Sequence, residues 1–286
     1  MHKFDQGVAL HTEKSTIMSK TVLITGTSTG MGEALTSEYV ARGWNVAATM
    51  RTLAKAPASF AELPNVLVTR LDVTDPASIE AAVKETIDRF GAIDAVVNAA
   101  GYGQIGTVEE VSAEELRAQY ETNVVGVVQV IQGVLPHMRE RGSGHILNIG
   151  SMGGHVALPT MSVYTSSKSA VQNLTEGLAW ELQPLGIKVT LVEPAGFNTN
   201  FTANSTMPAR SIADYADSYA QMAEFDQQAV RGDLVKSMSA VADVTGIDEP
   251  PLHLAVATAG LEMVRGHFAQ LLDEYDRWES VTAKTD

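Results

Sequence analysis

The chain has 286 residues and a formal charge of −14 at pH 7, a balance that opposes binding to nucleic acid or an anionic membrane, so any phosphate site must be local. Apolar residues make up 45% and charged residues 19%, which suits a packed core and excludes a disordered chain. Cysteine is absent and no two of the seven histidines stand at metal-ligand helical spacing, so disulfides and cysteine-ligated zinc are excluded, no metal is expected, and a cytoplasmic location is implied.

Residues 1–18 lack the apolar segment and small-residue cleavage site of a secretory signal, and Met18 before "SKTVLITG" reads as a second start. They are taken as a flexible extension, with 19–286 as one domain. From Thr21 the chain alternates short β-branched runs with helical patterns. "TVLI", "NVAATM", "VLVTRL", "IDAVVN", "HILNI" and "IKVTLVE" read as strands, most of them apolar throughout, as in strands covered on both faces.

Between the first two strands, Met31, Ala34, Leu35 and Val40 form a helical stripe that ends at Gly43. Asp75 and Pro76 supply an N-cap and first-turn pair for a helix closing near Gly91. Ser112 and Glu115 form a capping box before a long helix expected to stop at Pro136. Within it, "NVVGVVQVIQGVLP" is too short and too polar, with Asn123, Gln129 and Gln132, to span a bilayer. After Glu193 the pattern loosens, and residues about 195–240 are expected to form a substrate loop. Its Met207, Tyr215, Tyr219 and Met222 suit either an apolar cover or plain helix packing.

Such alternation implies βαβ units with right-handed crossovers, hence a doubly wound α/β fold with a parallel sheet flanked by helices. "VLITGTSTGMGEAL" follows the first strand and opens the first helix. Gly26 permits the tight turn, Gly30 lets backbone approach a pyrophosphate, and Gly32 lets helix pack close to strand. An acidic residue at the end of the second strand would take a ribose 2′-hydroxyl, but "AATMRT" puts Met50 there, followed by Arg51. A guanidinium holds a 2′-phosphate that a carboxylate repels, so NADP(H) is favoured, with NAD(H) left open.

With "TGTSTGMG" from Thr25, "NAAG" from Asn98, Ser151 after the fifth strand and "YTSSK" ending at Lys168, the chain resembles the short-chain dehydrogenase/reductase family over about residues 20–200. Its ending "PPLHLAVATAGLEMVRGHFAQLLDEYDRWESV" is similar to a bacterial branch related to 17β-hydroxysteroid dehydrogenases. The resemblance implies a single Rossmann-type domain. It implies Ser151, Tyr164 and Lys168 as catalytic residues, with Asn123 as a fourth member holding a water that links Lys168 to solvent. For the cofactor it implies Thr27, Ser28 and Met31 beside the three glycines, Asp72 on adenine with Val73 next to it, and Asn98, Ala99, Ala100 and Gly101 under the nicotinamide ribose. It further implies Tyr164 and Lys168 themselves, then Pro194, Gly196, Phe197 and Thr199. Ala195 departs from the family's usual glycine.

Tyrosine and lysine four apart on a helix share a face. A nearby ammonium favours phenolate, so Lys168 is expected to lower the pKa of Tyr164 and to hold ribose hydroxyls, while Ser151 donates to the substrate oxygen. Tyr164 then acts as general acid in reduction and base in oxidation. Gly153, His155, Phe197 and Phe201 are candidates for lining the substrate pocket. The function expected is hydride transfer between a small-molecule carbonyl and its alcohol, in a homodimer or homotetramer. The alternatives are a non-catalytic NADP(H) sensor or scaffold and an epimerase or dehydratase using the same pair.

Overall fold

The computed structural model describes residues 19–285; the extension expected over residues 1–18 lies outside the described residues. Seven parallel strands form one sheet in the order β3-β2-β1-β4-β5-β6-β7. They are β1 (Thr21–Thr25), β2 (Asn45–Met50), β3 (Val66–Arg70), β4 (Ala95–Asn98), β5 (Gly144–Ile149), β6 (Ile187–Pro194) and β7 (His253–Val256). The first six are the strands read from β-branched runs. β7 is additional: it has only four residues on the sheet edge, two of them exposed, and so too short an apolar run to stand out. It pairs with β6 in the register Leu191↔His253 to Pro194↔Val256.

Helices cover both faces of the sheet. On one face α2 (Pro76–Phe90), α4 (Gly126–Arg141) and α5 (Ser162–Leu182) bury Ile79, Val83, Val130, Ile131, Val134, Met138 and Val171. On the other, α1 (Gly30–Ala41) and α8 (Leu234–Val244) bury Leu35, Tyr39, Met238 and Val241. Each such aliphatic side chain contributes about 1.5–3 kcal/mol on leaving water. The α1–α8 pair is also tied by polar contacts: Arg42 reaches Glu38 and Asp243 at 2.7 and 2.6 Å, and the Tyr39 hydroxyl meets Thr245 Oγ1 at 2.7 Å. α8 thus joins the core, although it begins inside the segment read from sequence as a substrate loop.

The expected caps are present. The Asp75 side chain accepts from Ser78 N, with Pro76 in the first turn and Gly91 left-handed at the end. Ser112 and Glu115 cap α3 (Ala113–Tyr120) reciprocally. The long helix differs from expectation in two ways. A π-helical turn, Glu121–Val125, separates α3 from α4. Pro136 does not stop the helix, which runs through it to Gly142. Val130, Ile131 and Val134 before the proline and Met138 after it are all buried, and that burial exceeds the roughly 3 kcal/mol an interior proline costs.

Strand order reverses between β1 and β4, which opens a crevice at the carboxyl ends of the strands. Over it lies the segment after β6, with the short α6 (Phe201–Asn204) and α7 (Ala216–Gln228). α9 (Thr258–Thr282) closes the chain.

Candidate active site

The turn after β1 is shaped by backbone crowding. A methyl on Gly26, whose φ is +73°, would meet Ala100 Cα at 2.8 Å, and one on Gly32 would sit 2.3 Å from the Gly26 carbonyl oxygen. Both neighbours are backbone and cannot yield. Thr29, the N-cap of α1, makes no side-chain capping bond, as is also true at the starts of α5, α7 and α9, whereas Asp75, Ser112 and Asp233 close the first turns of α2, α3 and α8. The start of α1 is therefore open to an anion, as a pyrophosphate site requires. On this ground the residues present fit a dinucleotide.

Other predicted cofactor residues gather along the same crevice. Thr25 Oγ1 accepts from Ala99 N and Ala100 N at 3.0 and 3.1 Å, fixing the segment that follows β4. Asn98 points inward, donating to Asn148 Oδ1 at 2.9 Å, and Asn148 donates in turn to Thr175. Thr27 faces β2, its amide and hydroxyl both on Thr49 O at 3.1 Å, while Ser28 is half-buried. Asp72 Oδ1 holds the Thr74 amide and hydroxyl, and Val73 packs where a side chain on Gly126 would stand. Arg51 is exposed after β2, close enough for its charge to oppose the upward shift that burial gives the Tyr102 phenol.

Beyond this lies a cavity of about 490 Å³ lined by Ser151, Tyr164 and Lys168, with Met31, Ala99, Gly101, Pro194, Gly196 and Thr199 towards the cofactor side. α5 carries Tyr164 and Lys168 one turn apart, both buried. Lys168 Nζ donates to Ile149 O at 2.8 Å, and Ser151 Oγ accepts from Gly153 N at 3.0 Å. Burial lowers the Lys168 ammonium from its ordinary 10.5 to about 8. The Tyr164 phenol is raised: burial dominates, and a hydrogen bond with Ser151 only partly opposes it. This reverses the downward shift expected from sequence. Loss of hydration decides the direction, and the ammonium is turned to a backbone carbonyl.

Asn123 sits in the π-helical turn and does not line the cavity. Its Oδ1 accepts from Tyr102 N at 3.2 Å and its Nδ2 donates to Tyr102 O at 3.0 Å. Gly101 is wedged between it and Lys168: a Cβ there would stand 3.2 Å from Asn123 Oδ1 and 3.8 Å from Lys168 Nζ. The extra residue of the π turn aims Asn123 at this corner, a common use of such turns.

Of the substrate candidates, Gly153, Phe197 and Phe201 line the cavity, and the Phe201 ring lies 5.2 Å from that of Tyr164. His155 lines no part of it and bonds instead to Glu193. Tyr219 and Met222 form part of the cover, whereas Met207 is exposed and Tyr215 donates to Glu109. Ala195 lies on the wall with its methyl against Gly260, so the departure at this position is matched by a missing side chain on α9. Tyr102, Leu158, Met161 and Met263 also line the cavity and had no sequence signal, since they come from scattered elements. Glu110 anchors the cover, accepting from Ile212 N at 2.8 Å and from the Tyr219 hydroxyl.

The family model for short chain dehydrogenase matches residues 20–210. The chain belongs to this family. It is 35% identical over 276 residues to Oxidoreductase BOA17 of Botryotinia fuckeliana, covering 93% of this chain and 98% of that one. The crystal structure of a short-chain dehydrogenase from Streptomyces avermitilis superimposes with a TM-score of 0.87 at 35% identity, over 94% and 99% of the two chains. A short-chain dehydrogenase/reductase from Burkholderia phymatum in complex with NAD (TM-score 0.75, 25% identity, 86% and 92% covered) and ElxO with NADP bound (0.73, 26%, 86% and 100%) share the fold. The chain is therefore an oxidoreductase of the short-chain dehydrogenase family that works with a nicotinamide cofactor. Among the described residues no helix is long and apolar enough to cross a membrane.

Proposed function

We propose that this short-chain dehydrogenase is an NADP-preferring enzyme that interconverts an apolar ketone or aldehyde and its alcohol, with Tyr164 as the proton donor and acceptor. The observation that carries this is the meeting of Ser151, Tyr164 and Lys168 on one cavity whose remaining wall is largely apolar, with Met152, Leu158, Met161, Phe197, Phe201 and Met222. A buried phenol with a raised pKa keeps its proton at neutral pH, which suits an acid waiting for a carbonyl oxygen. Ser151 stands beside it to donate to the same oxygen as charge builds there. Lys168, at about 8, keeps its charge at neutral pH and supplies the positive field that favours phenolate in the oxidative direction.

The open start of α1, Arg51, Asp72, Asn98 to Gly101 and Pro194 to Thr199 would hold the cofactor. When bound it supplies or accepts the hydride, leaving the chain to move only the proton. Arg51 would take a 2′-phosphate, the basis for preferring NADP over NAD.

The test is Tyr164→Phe, assayed against a panel of apolar ketones with NADPH and with NADH. The variant should bind cofactor as the wild type does and lose at least about a hundredfold in turnover. Turnover near the wild-type value would refute the role of Tyr164, and equal use of NADH would refute the preference. A cavity that bound NADPH but turned over no carbonyl in the wild type would favour a sensor.

A further inference from the structure

Three residues far apart in sequence meet behind the Ser151 wall. His155 ends the turn after Ser151, Glu193 precedes Pro194 on β6, and His253 opens β7. One ligand atom from each lies within 4.8 Å of the others. His155 Nε2 contacts Glu193 Oε1, and His253 Nδ1 faces the same oxygen at 3.4 Å. The side chains of His155 and Glu193 are 7% and 8% exposed, while His253 is 39% exposed and gives a path from solvent.

We infer that His155, Glu193 and His253 form a binding site for one divalent transition-metal ion of the zinc type. Two imidazoles and a carboxylate are the donor set such an ion takes, at about 2.0–2.2 Å from each ligand. Tetrahedral bonds of that length put ligand atoms about 3.4 Å apart, the separation already found between His253 Nδ1 and Glu193 Oε1, whereas His155 Nε2, in direct contact with the same oxygen, would draw back to admit the ion. The other nitrogen of His253, Nε2, faces Glu176 Oε1 at 3.5 Å. With an ion bound to Nδ1, Glu176 would be the carboxylate partner of the outer nitrogen, the usual arrangement around a metal-binding histidine. The Phe268 ring from α9 stands edge-on to His155, with centroids 5.3 Å apart. A cation here would also sit against the buried Glu193 carboxylate, which both imidazoles face. The ion would rivet β6, β7 and the Ser151 turn together, acting on the shape of the cavity and not on the reacting atoms.

The test uses the full-length chain stripped with a chelator, titrated with Zn²⁺ against a chromophoric indicator and separately with Co²⁺, whose visible bands report tetrahedral nitrogen and oxygen ligation. The wild type should bind one ion per chain at this site, with a rise in Tm. His253→Asn, a change at an exposed sheet edge that the fold tolerates, should lose the ion and the rise in Tm. Glu176→Gln should weaken binding about 10- to 100-fold. His267→Asn, which alters a neighbouring histidine outside the cluster, should leave binding intact. Absence of binding in the wild type, or equal binding by His253→Asn, would overturn the assignment and leave the three residues as a proton-sharing network.

Discussion

Replacing Lys168 with methionine removes a buried ammonium while keeping an unbranched apolar stem. In the cofactor-free protein burial takes that ammonium from 10.5 to about 8, so the folded state disfavours the charged form by about 3 kcal/mol. Below about pH 8 both folded and unfolded chains carry the proton, and the folded state bears the whole penalty. Between about 8 and 10.5 the unfolded chain keeps a proton that the folded chain has shed, so stability rises with pH across this window. Contributions from distant groups cancel when wild type and variant are compared at each pH. The wild type should therefore gain about 3 kcal/mol on Lys168→Met as pH climbs through the window. Urea unfolding of both cofactor-free proteins at a series of pH values measures the difference. A flat difference would mean that Lys168 titrates alike in both states, and the account of a dehydrated cation beside Tyr164 would fail.

Gly32→Ala forces a methyl to 2.3 Å from the Gly26 carbonyl oxygen and 3.1 Å from Thr27 Cα. It should cost about 1–3 kcal/mol by overpacking and weaken dinucleotide binding, seen as a lower Tm and a higher cofactor Kd. Tyr219→Phe removes a hydroxyl that holds α7 to Glu110, so the substrate KM should rise in steady-state assays while the cofactor Kd stays put. An unchanged KM would detach the cover from substrate binding. Arg51→Ala should cost NADPH about tenfold or more in affinity, the worth of a charge-assisted hydrogen bond, and leave NADH unaffected in fluorescence titration.

Most of the sheet is legible in the sequence because a parallel strand buried on both faces has to be mainly apolar, as "AVVN" and "HILNI" are apart from Asn98, His145 and Asn148, whose side chains find partners inside. Caps are legible for the same local reason: Asp75 and Ser112 act on amides three residues away. What fails is non-local. Pro136 reads as a stop, yet the burial of Val134 and Met138 carries the helix past it. No spacing rule announces the π turn at Asn123. The downward shift expected for Tyr164 follows from a charge one turn away, but desolvation depends on everything packed around the phenol and reverses it. His155 stands near Ser151 in sequence and points to Glu193 on another strand.

The bare start of α1 has a consequence for the molecule before it meets any ligand. Helices that begin on Asp75, Ser112 or Asp233 finish themselves, whereas this one borrows its last closing contacts from whatever anion arrives. Coenzyme occupancy and folding of the β1–α1 unit are then two readings of one equilibrium, and resistance to heat should climb with the logarithm of coenzyme concentration. In the empty protein the amides of Gly30 to Glu33 should exchange with deuterium sooner than those opening α2, and saturation with dinucleotide should erase the gap.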